Sequence, residues 1–266
     1  MGELRAYGAL FLGQWRSLAS YRASFAVDLA TNILGAVLDV VAVLVLFGAT
    51  RTVAGFTLRE GLLVVSLSSC GFAAADLVVG NIDRLKTYVR TGAMDAVLTR
   101  PLGALPQLVL MDMPLRKGLR VAVAVAVLIT ALRLNHVDWT PARAALVVIA
   151  PLSGALFFGA IFVASASLAF WWVESGEVGS AFTYGGRDFT AYPVPVFEGW
   201  FRAVFAYGMG FGFVAYQPAL TLLEHPDPLG LPVGAGFLSP LVALVAAGVA
   251  AVVWRAGIRH YRSTGS

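Results

Sequence analysis

Apolar residues in this chain run in long unbroken blocks separated by short polar and basic stretches. Six blocks stand out, at residues 25–49, 61–80, 119–132, 144–173, 200–223 and 233–254. A helix that crosses a bilayer needs about 20 predominantly apolar residues. The third block is short and extends backward, to 115–134. The fourth is long and carries Pro151, so a kink or a tilt is expected there. Membrane barrels read instead as short segments of alternating polarity, a pattern these blocks do not follow. The fold class expected is therefore all-α: a polytopic membrane protein with one transmembrane domain over 1–266 and six transmembrane helices.

Ahead of the first block, Leu4, Tyr7, Phe11, Trp15 and Leu18 recur at helical spacing, while Arg5, Arg16 and Ser20 point elsewhere. Residues 1–24 thus predict an interfacial amphipathic helix on the inner leaflet. No cleaved leader is expected, because the apolar run 7–12 is too short and no small-residue cleavage site follows.

Composition sharpens this picture. The chain is 59% hydrophobic and 13% charged, with a mean hydropathy of +0.80. Soluble domains hold about 45–50% apolar and about 25% charged residues. A water-soluble fold and a disordered chain are both excluded on those figures. One cysteine excludes a disulfide scaffold. The basic excess is small, 19 Lys and Arg against 15 Asp and Glu, so it marks loops rather than a nucleic-acid surface.

The basic residues also orient the chain. With both termini inside, the internal segments hold Arg5, Arg16, Arg22, Arg84, Lys86, Arg90, Arg100, Arg116, Lys117, Arg120, Arg187, Arg202, Arg255, Arg259 and Arg262. The external loops hold only Arg51, Arg59, Arg133 and Arg143. Both termini are expected in the cytoplasm, and the chain in the cell (inner) membrane.

Reactive clusters are missing from the sequence. There is no GxxxxGK[ST] phosphate loop, since neither Lys86 nor Lys117 follows the required glycines. His136, His225 and His260 are scattered, and with one cysteine they offer no metal-ligand spacing. Cys70 reads as a small buried thiol, and Ser66, Ser68 and Ser69 as small polar residues easing helix contact in lipid. No catalytic residue, metal or cofactor is expected in this chain.

The longest stretch between blocks, 81–118, is the informative one. Ile82, Leu85, Val89 and Ala93 recur at three- and four-residue steps, with Asp83, Arg84, Lys86, Thr87 and Arg90 on the other faces. Gly92 permits a break, Asp95 favours a new helix start, and Pro101 pushes Arg100 out of the helical region. A short helix of about two turns is expected, presenting Met94, Val97 and Leu98 to the cytoplasm. An apolar knob flanked by arginines suits a partner's groove; a helix lying on anionic lipid is the alternative.

Residues RTGAMDAVLTRPLGAL resemble the cytoplasmic coupling segment of permease subunits of type-2 ABC exporters, above all the six-span bacterial ones. Tyr192-Pro193, the stretch Val196-Phe197-Glu198-Gly199-Trp200-Phe201-Arg202, and YQPALTLL from Tyr216 resemble the second half of that family. The run Gly208-Met209-Gly210-Phe211-Gly212 departs from it, where a proline-containing apolar run is expected. The resemblance implies that Arg90, Thr91, Gly92, Met94, Asp95, Val97, Leu98, Arg100 and Pro101 couple the chain to a separate ATPase. It implies an ABC ATPase dimer that binds ATP and Mg, and a second permease subunit, like or unlike this one. The cargo path then runs through the membrane-spanning helices.

Two further features are open at this level. Asp28, Asp39 and Asp76 lie within apolar blocks, where an ionised Asp costs about 2.5–3.5 kcal/mol. They are candidates for the cargo path or a subunit interface, for structural hydrogen bonding, or for a proton relay. The last would make the chain a self-sufficient proton-coupled transporter. The segment 174–199 reads as a second internal loop bracketed by Trp171, Trp172, Tyr184, Tyr192 and Trp200. An interface helix is expected after it, with Val196, Phe197, Trp200, Phe201 and Val204 on one face.

Overall fold

The computed structural model describes residues 22–49, 52–111 and 117–262. Among them the backbone is helical apart from turns and one isolated bridge between Val53 and Phe56. The interfacial helix expected at the N-terminus lies outside the described residues, except for its last few positions, which belong to α1 (Arg22–Ala49).

Local chemistry sets where the long helices begin. α2 (Leu58–Val79) starts on a capping box, in which the Thr57 backbone N–H donates to Glu60 Oε2 at 2.7 Å. A tighter 3-10 segment, Gly80–Arg84, carries it into α3 (Leu85–Arg90), so the helical run extends from Leu58 to Arg90. α4 (Ala93–Leu98) and α5 (Ala104–Met111) fold at the same end. α6 (Gly118–Leu134) returns along α2. α7 (Pro141–Ser167) starts on Thr140, whose Oγ1 accepts the Arg143 backbone N–H at 3.3 Å, with Pro141 in the first turn. It continues through Pro151 without a break in assignment.

Beyond α7 the chain departs from a simple up-and-down bundle. α8 (Gly176–Thr190) is followed by a 3-10 turn at Val194–Val196 and by α9 (Gly199–Arg202). A π segment, Ala203–Gly208, and a 3-10 segment, Phe211–Phe213, lead to α10 (Tyr216–Leu223). A last 3-10 segment, Val233–Leu238, enters α11 (Ser239–His260), whose final turn carries Arg259 and His260 against the helix dipole.

Among the described residues, three helical stretches are long and apolar enough to cross a membrane: Leu58–Arg90, Pro141–Phe170 and Val233–His260. α1 has 28 residues with its apolar part at Ile33–Val45, and α6 has 17. The fifth block of the sequence is corrected outright. It is not one helix but α9, the π segment, a break and α10. The break is at Gly210, where φ is +89° and an added Cβ would stand 2.5 Å from Val242.

Segment 174–199 is corrected as well. It contains the 15-residue α8, packed on α7 and α2 rather than looping freely. Ser175, Gly179, Thr183, Gly186 and Thr190 are buried at helical spacing. Gly179 lies against Ser165, and Thr190 Oγ1 is 2.6 Å from Ser68 Oγ, so α8 climbs from one end of the bundle to the middle of α2. The face expected after it splits: Phe197 and Phe201 pack inward while Val196, Trp200 and Val204 are exposed.

The core is built on the α2–α7 crossing. An ideal Cβ on Gly71 would stand 3.0 Å from the Gly154 backbone. Beside this contact Phe72 meets Phe158 at 5.2 Å and Phe162 at 5.7 Å. The aromatic contacts continue through Phe157, Phe211, Phe189 and Phe205, reaching α8 and the segment after it. α11 packs along the length of α7. Gly71→Val is expected to lower the thermal midpoint of the detergent-solubilised protein by several degrees, an overpacking cost of about 1–3 kcal/mol. Gly248→Ala, which meets open space, is expected to leave it unchanged.

Candidate functional site

The basic end of the bundle holds the segment singled out by the sequence. The expected break at Gly92 is present, with φ at +71°, and α4 ends with Thr99 as its C-cap. The orientation of α4 differs from the expected one. Met94 and Val97 are buried, at 0% and 2% exposure, and only Leu98, at 40%, faces outward. The physical reason is a second layer behind the helix. Gln107 of α5, itself buried, donates through Nε2 to the carbonyls of Val97, at 3.2 Å, and Leu102, at 2.9 Å. From the other end of the chain, Tyr261 donates through its hydroxyl to Asp95 Oδ1 at 3.0 Å. Burial and the adjacent carboxylate raise the Tyr261 phenol, which keeps it protonated as a donor. The outward surface of this segment is Arg90, Thr91, Ala93, Ala96, Leu98, Thr99, Arg100 and Pro101.

The carboxylates separate into two groups. The side chains of Asp28 and Asp39 lie outside the described residues. Asp76 is buried near the C-terminal end of α2, and it is paired. Lys117 Nζ is 2.6 Å from Oδ1, and Arg120 Nη1 is 3.4 Å from Oδ2. Both cations come from the start of α6 and are about one-third exposed, against 3% for the Asp76 side chain. Arg120 and Arg187 each stand 5.5 Å from the Phe72 ring centroid, a cation–π distance. Among the described residues no group of His, Cys, Asp and Glu converges as a metal site.

The opposite end is built differently. Asp227 accepts from Gln217 Nε2 at 2.8 Å, from Tyr216 Oη at 3.3 Å and from the Leu229 N–H at 3.0 Å. Arg143 pairs with Glu224, and His225 Nε2 lies 3.3 Å from Glu60 Oε1. Arg59 and Arg143 cluster here, as expected for residues outside the basic end.

Sequence reasoning missed Gln107, Tyr261 and the partners of Asp76. One usable signal was the three-residue spacing of Lys117 and Arg120, which places two cations on one face at the start of the third block. Because Asp76 is the buried member, removing Lys117 leaves the carboxylate with Arg120 alone, at the longer distance of 3.4 Å. Lys117→Met is therefore expected to lower the thermal midpoint more than Asp76→Asn does, with a loss of up to about 3–5 kcal/mol. Combining the two substitutions is expected to recover part of that loss.

The model of a family described as ABC-2 family transporter protein matches residues 33–265. No curated protein and no solved structure matches the chain. The family match covers most of the chain, including the α4 segment and the whole α2–α7–α11 core. The chain therefore belongs to the ABC-2 transporter family, whose members are membrane components of ABC transport systems.

Proposed function

We propose that this chain is the membrane subunit of an ATP-driven exporter and takes its energy from a separate ATPase subunit docked at α4. One observation carries the reading. α4 is fixed from behind by Met94, Val97, Gln107 and Tyr261, while Ala93, Ala96, Leu98 and Arg100 are left facing outward. A helix held on one side and bare on the other can pass a push into the bundle. The family membership supports the same reading, as does the lack of any phosphate loop in the sequence.

On this reading the basic end faces the cytoplasm, six membrane passes bring both termini there, and the ATPase dimer holds ATP and Mg. α8 favours a second permease subunit beside this one. Its outward face carries Asp188, with its side chain 73% exposed, beside the exposed Phe182, Tyr184 and Gly185. A carboxylate open on that face suits a partner helix or a path better than lipid. The ion pairs of Asp76 argue against the alternative of a proton relay through that residue.

The test is co-purification with the ATPase subunit. Ala96→Arg combined with Leu98→Arg is expected to reduce ATPase retention at least about tenfold, the scale of a disrupted apolar anchor, without shifting the thermal midpoint. Undiminished retention by that variant would sink the docking surface. Tyr261→Phe removes the strap but not the surface. It is expected to keep the ATPase bound while lowering transport per ATP by about three- to tenfold.

A further inference from the structure

The apolar block 233–254 ends one residue before Arg255, so the last turns of α11 rise out of the apolar layer. Their inward stripe is Trp254, Gly257, Ile258 and Tyr261, spaced by three and four residues. Phe170, at the end of the helical run of α7, fills the space that Gly257 leaves open. Its ring lies 5.4 Å from that of Trp254 and 6.1 Å from that of Tyr261. This packing seats Tyr261 for its hydrogen bond to Asp95 of α4.

The outward side of the same turns is basic. Arg255 and Arg259 stand one turn apart on α11, and Arg262 follows just past the helix end; all three are exposed. Among the described residues none of them pairs with a carboxylate. The level of the lipid headgroups is marked by Trp171 and Trp172, exposed where the run of α7 leaves the apolar layer. Trp171 stacks on His260 with 5.9 Å between ring centroids, which places the arginine-bearing turns at that level. An exposed arginine cluster held at headgroup depth is complementary in charge to anionic lipid.

We infer that the end of α11 is a docking surface for anionic lipid, with phosphate-bearing headgroups at Arg255, Arg259 and Arg262. A guanidinium offers such a phosphate two parallel N–H donors. The same docking steadies α4. The arginines and Tyr261 belong to the same few residues at the helix end, so headgroups that order those turns also hold the Tyr261 hydroxyl on Asp95. That the headgroups are those of the cytoplasmic leaflet rests on the exporter reading above. The docking itself does not, so it is tested on the full chain without any ATPase.

The purified chain is titrated with dioctanoyl phosphatidylglycerol or dioctanoyl phosphatidylcholine in a neutral detergent, and bound lipid is counted by native mass spectrometry. Phosphatidylglycerol is expected to bind more tightly, by about fivefold for each arginine engaged. Arg255→Gln, Arg259→Gln and Arg262→Gln are each expected to remove one such factor, while Arg259→Lys keeps most of it. Arg133→Gln, at an exposed arginine of the other end, is expected to change nothing. Equal binding of the two lipids overturns the inference, as does an equal loss with Arg133→Gln. Displacement of phosphatidylglycerol by an equal concentration of glycerol phosphate overturns the lipid assignment and makes the occupant a free phosphate. In nanodiscs, replacing half of the phosphatidylcholine by phosphatidylglycerol is expected to slow amide exchange over residues 93–98 about threefold, the factor for a ligand at twice its Kd. Tyr261→Phe is expected to bind phosphatidylglycerol as before and to lose that slowing. Unchanged exchange in the unsubstituted chain overturns the link to α4. A triple Arg→Gln variant that keeps its preference for phosphatidylglycerol but loses the ATPase makes the surface a protein contact and overturns the lipid. Failure of the ATPase to co-purify, with phosphatidylglycerol binding intact, would reject the exporter reading alone.

Discussion

In lipid, two helices gain little from hydrophobicity by meeting, because the tails around them are as apolar as their own side chains. Close packing must supply the attraction instead, and here it does so at Gly71 and Gly154. Neither residue has a side chain to hold α2 and α7 apart, so their backbones touch. That separation lets Phe72 reach Phe158 and Phe162 across the crossing. The same ring is within reach of Tyr184, Arg187 and Arg120. The seat of α8, the aromatic packing behind it and the meeting of two arginines all follow from one backbone contact. A wider crossing would scatter them.

What was legible in the sequence was what local rules determine. Gly92 and Pro101 bracket a short helix because left-handed φ and the proline ring act on their immediate neighbours. The apolar blocks of α2, α7 and α11 are long enough to speak for themselves. The orientation of α4 was not legible, because Met94 and Val97 are buried by partners elsewhere in the chain. Tyr261, which fixes Asp95, is 166 residues away. α8 was hidden for another reason: apart from Phe189, its buried face is Gly179, Thr183, Gly186 and Thr190, which is small and polar rather than apolar. A search for hydrophobic blocks passes over such a helix, although the spacing of its small residues was there to be read. The glycine-rich run at 208–212 did carry its signal, since it is where the fifth block breaks.

The two ends of the molecule are tied through different residues. At the Asp227 end one carboxylate gathers three donors, Thr221 joins α10 to the segment that enters α11, and Ser239 of α11 donates to the Phe213 carbonyl. The Arg143–Glu224 ion pair and the His225–Glu60 contact tie residues 224 and 225 to the starts of α7 and α2. At the basic end, the ties among the described residues include Tyr261 to Asp95, Gln107 to two carbonyls, and Lys117 and Arg120 to Asp76. On the docking proposal, a displacement of α4 would reach α11 through Tyr261 and the Leu58–Arg90 helix through Met94 and Val97. Asp76 stands where that movement would arrive, joining α2 to the start of α6. A buried charge held by two partly exposed cations has more than one acceptable pairing.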